Sequence, residues 1–367
     1  SRTTRKTFSA ASVAFLLCPS LCYGLIETCE DLQAAFELTQ TQDVVVEIYP
    51  TADIECDTFT NMTMTSNTLT VSASEELSYT STGVDLTRIR FAVTNGAKLF
   101  WEPSVLFDGV EEEEENNVDG GAVYIGEGST VRFLNNLQMT DVSIINVRDE
   151  DSDYSSFVRS GGCVWTDGYF RVDGTARFER CDITGAGESP PGPGGAVYVG
   201  ETGSVLFNGG VDISETSISD DFGGRGGGIY NLGKVNIKGS SRFEDLRASS
   251  GAAIYNGEGA TFTFRNRATA YFRDLTNRDA EGSALFNRGY FKFSGPALVV
   301  DAEAPAIVAA SGSETILSEN SAFWDLAQIS IFGTVSDPGG EAISISDSAE
   351  ITIPDSVSFV GFDEAVQ

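Results

Sequence analysis

The chain has 367 residues, 41% of them hydrophobic, with 39 Gly, 10 Pro and no His, and its 54 acidic against 23 basic residues leave a formal charge of −31. Such a field repels nucleic acid and anionic lipid surfaces, and the lack of histidine removes Ser-His-Asp triads and zinc sites of histidine type. The apolar content suffices for a long core, and a fold that grows by stacking can use the whole length without dividing it.

From the amino terminus, Arg2, Arg5 and Lys6 precede an apolar stretch over residues 8–23 that ends in small residues. This is the pattern of an export signal cleaved near Gly24. The stretch is shorter than the ~20 residues that span a bilayer, and Pro19 interrupts it; no other segment is long and apolar enough to span. Removing residues 1–24 leaves Cys29, Cys56, Cys163 and Cys181, an even number that suits two disulfides in an oxidising compartment. Sequence leaves the pairing open; Cys29 with Cys56 and Cys163 with Cys181 are the local choices. Asn61-Met62-Thr63 is a sequon, so Asn61 is a candidate glycosylation site in a eukaryotic host.

Residues 25–43 read as an amino-terminal cap. Within them residues 29–38 (CEDLQAAFEL) have helical apolar spacing and acidic residues in the first turn. A short helix here would cover the otherwise open strand edge of the first unit.

From about Val44 to the end the chain reads as strand. A Gly pair, a small residue, an aliphatic residue and an aromatic one recur at 120–124 (GGAVY), 161–165 (GGCVW), 194–198 (GGAVY) and 226–230 (GGGIY), with weaker copies at 251–255 (GAAIY) and 282–286 (GSALF). The aromatic positions are 41, 33, 32, 25 and 31 residues apart. Each unit divides into three short alternating runs, as at 253–256, 260–264 and 268–274, separated by Gly, Asn or charged residues. Three strands per turn in ~25 residues make one coil of a β-helix, about 12 coils in all. Stacked coils set like residues above like at roughly 4.8 Å. Val123, Val164, Val197, Ile229, Ile254 and Leu285 form one column, and Tyr124, Trp165, Tyr198, Tyr230, Tyr255 and Phe286 another. Alternation sends one inward and the other outward, the aromatics outward as a ladder or, in the opposite phase, inside with the small residues.

These units, with segments such as 234–239 and 242–246, resemble the right-handed parallel β-helix proteins of the pectin-lyase-like superfamily, and are particularly similar to polymorphic outer-membrane-protein repeats. The resemblance covers residues 44–362 and implies an all-β, right-handed parallel solenoid. The FxxN motif that accompanies such repeats stands at 133–136 and is replaced by FERC at 178–181, FEDL at 243–246 and FRDL at 272–275. The superfamily includes lyases, esterases, glycosidases and epimerases. Resemblance implies that its lyases use Ca²⁺ held by carboxylates with an Arg as base, and that many glycosidase and epimerase members use a His, which is missing here. Arg171 with Asp173, Arg242 with Asp245 and Arg273 with Asp274 offer the residue types, at spacings usual for solvated strand-edge pairs.

Acidic runs at 111–115 (EEEEE), with Asp119, and at 149–153 (DEDSD) each end just before a Gly pair, and Glu188, Asp220, Asp221, Asp279 and Glu281 stand in the equivalent place later. The inserts would then leave the coils at one corner and form an acidic wall. Glu111, Glu112, Glu113, Asp149, Asp151 and Asp153 are the candidate ligands for a divalent cation, calcium above all, which takes six to eight oxygens in flexible geometry. The competing reading is a set of solvated loops. Two functions stay open: a secreted or cell-surface non-catalytic protein presenting ladder and loops to glycans, cations or other proteins, or a polysaccharide lyase.

Overall fold

The computed structural model describes residues 24–49, 52–73, 83–110, 120–147, 160–186, 193–218, 224–265, 268–281, 283–302, 305–318, 321–324, 341–345, 348–353, 357–360 and 364–366. Each repeating coil contains a short strand such as Val123–Ile125, a middle strand such as Thr130–Phe133 and a long strand such as Leu137–Val147. Every strand pairs in parallel with its counterpart one coil away. The middle strands form a twelve-stranded sheet from Leu25–Ile26 to Glu350–Thr352, and the short and long strands share a second sheet of twenty. The register holds from coil to coil along Val123, Val164, Val197, Ile229, Ile254, Leu285 and Ile307. Pairing to the next coil satisfies the backbone of each rung, so the chain can wind without antiparallel turns. The architecture is an all-β parallel β-helix, and the right-handed sense is the one that strand twist favours.

Alternation along the strands fills the interior. The middle strands turn Leu99 and Trp101, Val131 and Phe133, Phe170 and Val172, Val205 and Phe207, and Phe262 and Phe264 inward, all fully buried. Phe107, Phe133, Phe170 and Phe207 climb the axis edge to face, with centroids 6.2, 6.1 and 6.0 Å apart. Such pairs add about 0.5–1.5 kcal/mol each beyond their buried area.

The helix Cys29–Leu38 closes the first coil. Thr28 caps it through a reciprocal pair, the Asp31 N–H donating to Thr28 Oγ1 at 3.2 Å and the Thr28 N–H to Asp31 Oδ2 at 3.1 Å. Leu32, Ala35 and Phe36 are buried, and Phe36 lies 5.0 Å from Phe91. Cys29 is bonded to Cys56 on the strand Asp53–Met64, and Cys163 to Cys181. The first bond fastens the cap to the coil beneath it; the second ties a Gly-pair segment to a long strand. The expected third runs at 268–274 and its equivalents are longer than sequence suggests, this one being Ala270–Glu281. In Val84–Val93 and in the long strands from Leu137–Val147 to Ala270–Glu281, one residue in a left-handed conformation bends the strand without breaking it.

Candidate functional site

That bend builds a densely charged corner of the described surface. Arg88, Gly109, Asp141, Arg180, Glu215, Asp245 and Asp274 all have φ between 50° and 58°. Flanking pairs such as Thr140 with Glu179 and Val142 with Cys181 set them one above another. Left-handed backbone costs an L-residue roughly 1–2 kcal/mol, yet six of these seven carry charged side chains. The FERC, FEDL and FRDL segments are this corner: Phe178 and Cys181, Phe243 and Leu246, and Phe272 and Leu275 point inward on either side of it. The motif at 133–136 ends a middle strand and is not their equivalent.

Arg180 holds the column together. Its Nε donates to Asp141 Oδ1 at 2.5 Å and its Nη2 to Asp141 Oδ2 at 3.0 Å, while Nη1 reaches Glu215 Oε2 on the next coil at 3.3 Å and also Glu179. The Arg180 hydrogen bonds hold the Asp141 carboxyl below its ordinary pKa, and Asp141 and Glu179 push the Arg180 guanidinium further up. Beside the column, Arg177 pairs with Glu179 at 2.9 Å. Arg242 and Arg273 both hold Glu244, whose side chain is only 10% exposed. Arg273 Nε also lies 2.9 Å from Asp274 Oδ2.

A groove flanks the ridge on each side. One, of about 460 Å³, is lined by Arg177, Asp212, Arg242, Glu244 and Arg273 with the ridge residues Glu215, Asp245 and Asp274. The other, of about 320 Å³, takes Arg180, Asp182, Ser217 and Arg247. Asp212 turns a buried, unpartnered carboxylate oxygen toward the first groove. This arrangement offers fixed donors and acceptors in alternation over several coils. It has the chemistry of hydrogen bonding to a hydroxyl-rich chain.

Of the strand-edge pairs expected to be solvated, Arg273 does pair with Asp274. Arg242 pairs with Glu244 instead of Asp245. Arg171 joins Asp173 on the middle sheet, together with Arg132 and Asn208.

The recurrent aromatics project from the outer face of the short strands, opposite the buried Val123, Val164, Val197, Ile229, Ile254 and Leu285. Tyr124, Trp165, Tyr198, Tyr230, Tyr255 and Phe286 stack with centroids 4.6, 5.8, 5.5, 4.7 and 5.1 Å apart and planes within 20° of parallel. The first three are half-buried, whereas Tyr230, Tyr255 and Phe286 are no more than 9% exposed. Arg90 lies over the Tyr124 ring at 5.7 Å and Arg225 over Tyr255 at 5.5 Å. Because each ring face is spent on its neighbour, a sugar cannot lie flat on an inner rung. The ladder acts as an external strut.

Glu111, Glu112, Glu113, Asp149, Asp151 and Asp153 lie outside the described residues, as do Glu188, Asp220 and Asp221. Where the chain leaves and re-enters the coils is described. Val147 pairs with Ala186 and Ile183 with Ile218, and the N–H groups of Gly120, Gly161 and Gly194 donate to the carbonyls of Ser160, Pro193 and Arg225. The described residues that flank the inserts thus lie along one edge, beside the ladder. Among the described residues no group of three or more Cys, Asp or Glu is placed to hold a metal ion. Asn61 is exposed on Asp53–Met64.

Sequence reasoning passed over a buried polar column. Asn231, Asn256 and Asn287 follow the ladder aromatics directly, are fully buried, and each carboxamide nitrogen donates to the next side chain at 2.8 Å, ending on Thr315. The signal was present as IYN, IYN and LFN in successive units. Comparison with protein-family models, with curated proteins and with solved structures finds no match to this chain.

Proposed function

We propose that this protein is a secreted or cell-surface, non-catalytic β-helix that binds glycans across the charged corner of its long strands. The observation that carries this reading is the pair of open polar grooves along the ridge Glu215–Asp245–Asp274, where guanidinium and carboxylate groups alternate and Asp212 keeps an unpartnered acceptor. Arginine forks and carboxylates are suited to vicinal hydroxyls, which both donate and accept. The sequence resemblance to the pectin-lyase-like superfamily agrees with a carbohydrate ligand. Two disulfides fit an oxidising environment, and among the described residues no helix is long and apolar enough to cross a membrane.

A lyase reading is weaker. Glu179 and Glu244, the least exposed acids of the corner, each contact two arginines. Groups so engaged are held as salt bridges, and in the second groove the Ser217 hydroxyl and N–H both donate to Asp182 Oδ1, at 2.9 and 2.8 Å, a contact that ties two neighbouring coils together. The reading is tested by immobilising a panel of acidic and neutral polysaccharides and comparing the protein with Arg177→Gln/Arg242→Gln. Binding that falls at least tenfold in the variant, with the thermal midpoint unchanged, supports it; equal binding by both proteins rejects the corner as the site.

A further inference from the structure

The cap over the first coil lies along an open strand edge. Among the described residues Asp53–Met64 pairs only with Val84–Val93, so its other side has no strand beside it. An edge of twelve residues is a ready template for another chain. The helix Cys29–Leu38 runs beside it, tied at one point by the bond from Cys29 to Cys56. At another, Gln40 Nε2 donates to the Thr63 carbonyl at 3.4 Å. That carbonyl belongs to the open side, since the next one, of Met64, accepts the Thr94 N–H from the paired side and successive carbonyls alternate. Little else holds the helix. Its ten residues fall short of the ~12–15 at which an isolated helix is even marginal in water, and it buries only Leu32, Ala35 and Phe36. The two disulfides differ in access. Cys29 is half-buried at the first position of the helix, whereas Cys163 and Cys181 are both fully buried. Exchange with an external thiol requires that the thiol reach a sulfur, which favours the first bond.

We propose that the Cys29–Cys56 bond is a redox latch: a dithiol reductant opens it, the cap helix comes away, and the freed edge Thr60–Met64 pairs antiparallel with the same edge of a second copy. One thiolate of the reductant attacks the Cys29 sulfur and breaks the bond to Cys56; its second thiol then displaces Cys29 from the mixed disulfide. The reductant leaves as a disulfide, and its two protons end on Cys29 and Cys56. Charge selects the partner. Asp53, Glu55 and Asp57 occupy the first half of the edge, and the register shifts between Glu55 and Thr60, whereas Thr60–Met64 is regular and uncharged. Parallel pairing of two copies would set their acids side by side. Antiparallel pairing about Met62 sends the acids to opposite ends and gives a closed, two-fold contact. A basic peptide would have to use the irregular acidic half instead. The latch involves neither corner groove and does not rest on the glycan reading.

Incubation of the full chain with dithiothreitol at physiological ionic strength, followed by alkylation, amide exchange and light scattering, tests the inference. Cys29 and Cys56 should be alkylated at least tenfold faster than Cys163 and Cys181. The amides of residues 29–38 should exchange at least tenfold faster than before reduction, and the mass in solution should double. Asn61→Lys/Thr63→Lys sets lysines of the two copies opposite one another across the shared edge. This variant should release its helix equally but keep the single mass. Both altered side chains are exposed, and an unchanged melting midpoint before reduction verifies folding. Equal alkylation of the two disulfides, helix exchange unchanged by reduction, a reduced chain that keeps the single mass, or doubling that survives in Asn61→Lys/Thr63→Lys would each overturn the proposal.

Discussion

A β-carbon on Gly227 would lie 2.6 Å from the Ala252 carbonyl oxygen and 2.7 Å from that of Arg247, backbone atoms that cannot swing away. Its partner Gly226 has φ +68°, in the region that favours glycine. The Gly pairs are where the chain re-enters the coil too close to the next rung for any side chain. Gly227→Val should therefore lose more than about 2 kcal/mol of stability; a near-neutral thermal midpoint would place the pair in ordinary strand. Asp173 gives a pH-dependent case. Burial would raise its pKa, but hydrogen bonds from Arg132, Arg171 and Asn208 outweigh it and lower the pKa below the ordinary value. A lowered folded-state pKa contributes stability that is present above the unfolded value near 3.9 and is lost as pH falls through the folded value. Asp173→Asn should then cost about 1–3 kcal/mol at pH 7, a difference that shrinks below about pH 4. Denaturant titrations at pH 7 and pH 3 measure it, and a cost equal at both would discount the two arginines.

At the scale of elements, the asparagine column shows how a β-helix affords polar groups inside. Asn256 accepts from Asn231 and donates to Asn287 and to the Tyr290 carbonyl. Removing it leaves buried groups on both neighbouring coils without partners, each worth about 1–3 kcal/mol. Asn256→Ala should lower stability by at least about 2 kcal/mol and speed amide exchange at Asn231 and Asn287 ahead of distant coils; unchanged exchange there would mean the coils do not depend on the column. The repeat, the cap helix and the Val and Tyr columns were legible because each rests on a period that survives in the letters. The corner was not. Its left-handed position holds Arg, Gly, Asp or Glu in turn, so no letter recurs, and the bend sends two residues three apart to the same face, which breaks the alternation used to find strands. The asparagine column was missed for a different reason: a buried Asn looks like a turn residue until its partner one coil away is known.

For the whole molecule, charge is the governing quantity. Acidic residues outnumber basic ones by 54 to 23, and among the described residues the core cluster is apolar, so that the carboxylates there stand on outward strand faces and in turns. Like charges so arranged oppose compactness unless counter-ions gather. The carboxylate runs at 111–115 and 149–153, outside the described residues, are the candidates that the sequence offers for a divalent cation. With loop carboxylates in the range of about 10⁻⁴–10⁻³ M, Ca²⁺ at ten times the dissociation constant adds about 1.4 kcal/mol. Melting midpoints should accordingly be higher in Ca²⁺ than in NaCl of matched ionic strength, and equal midpoints would reduce the effect to screening.

The central claim, that the solenoid binds glycans without cleaving them, is tested most directly by one assay. The intact protein is incubated with the polysaccharide that it retains best, with and without Ca²⁺, while bound protein, reducing ends and unsaturated uronate absorbance are followed together. Saturable binding with no rise in either product signal over the protein-free control is the expected result. Release of reducing ends or of unsaturated products, abolished by Arg177→Gln/Arg242→Gln, would contradict it and make the corner an active site.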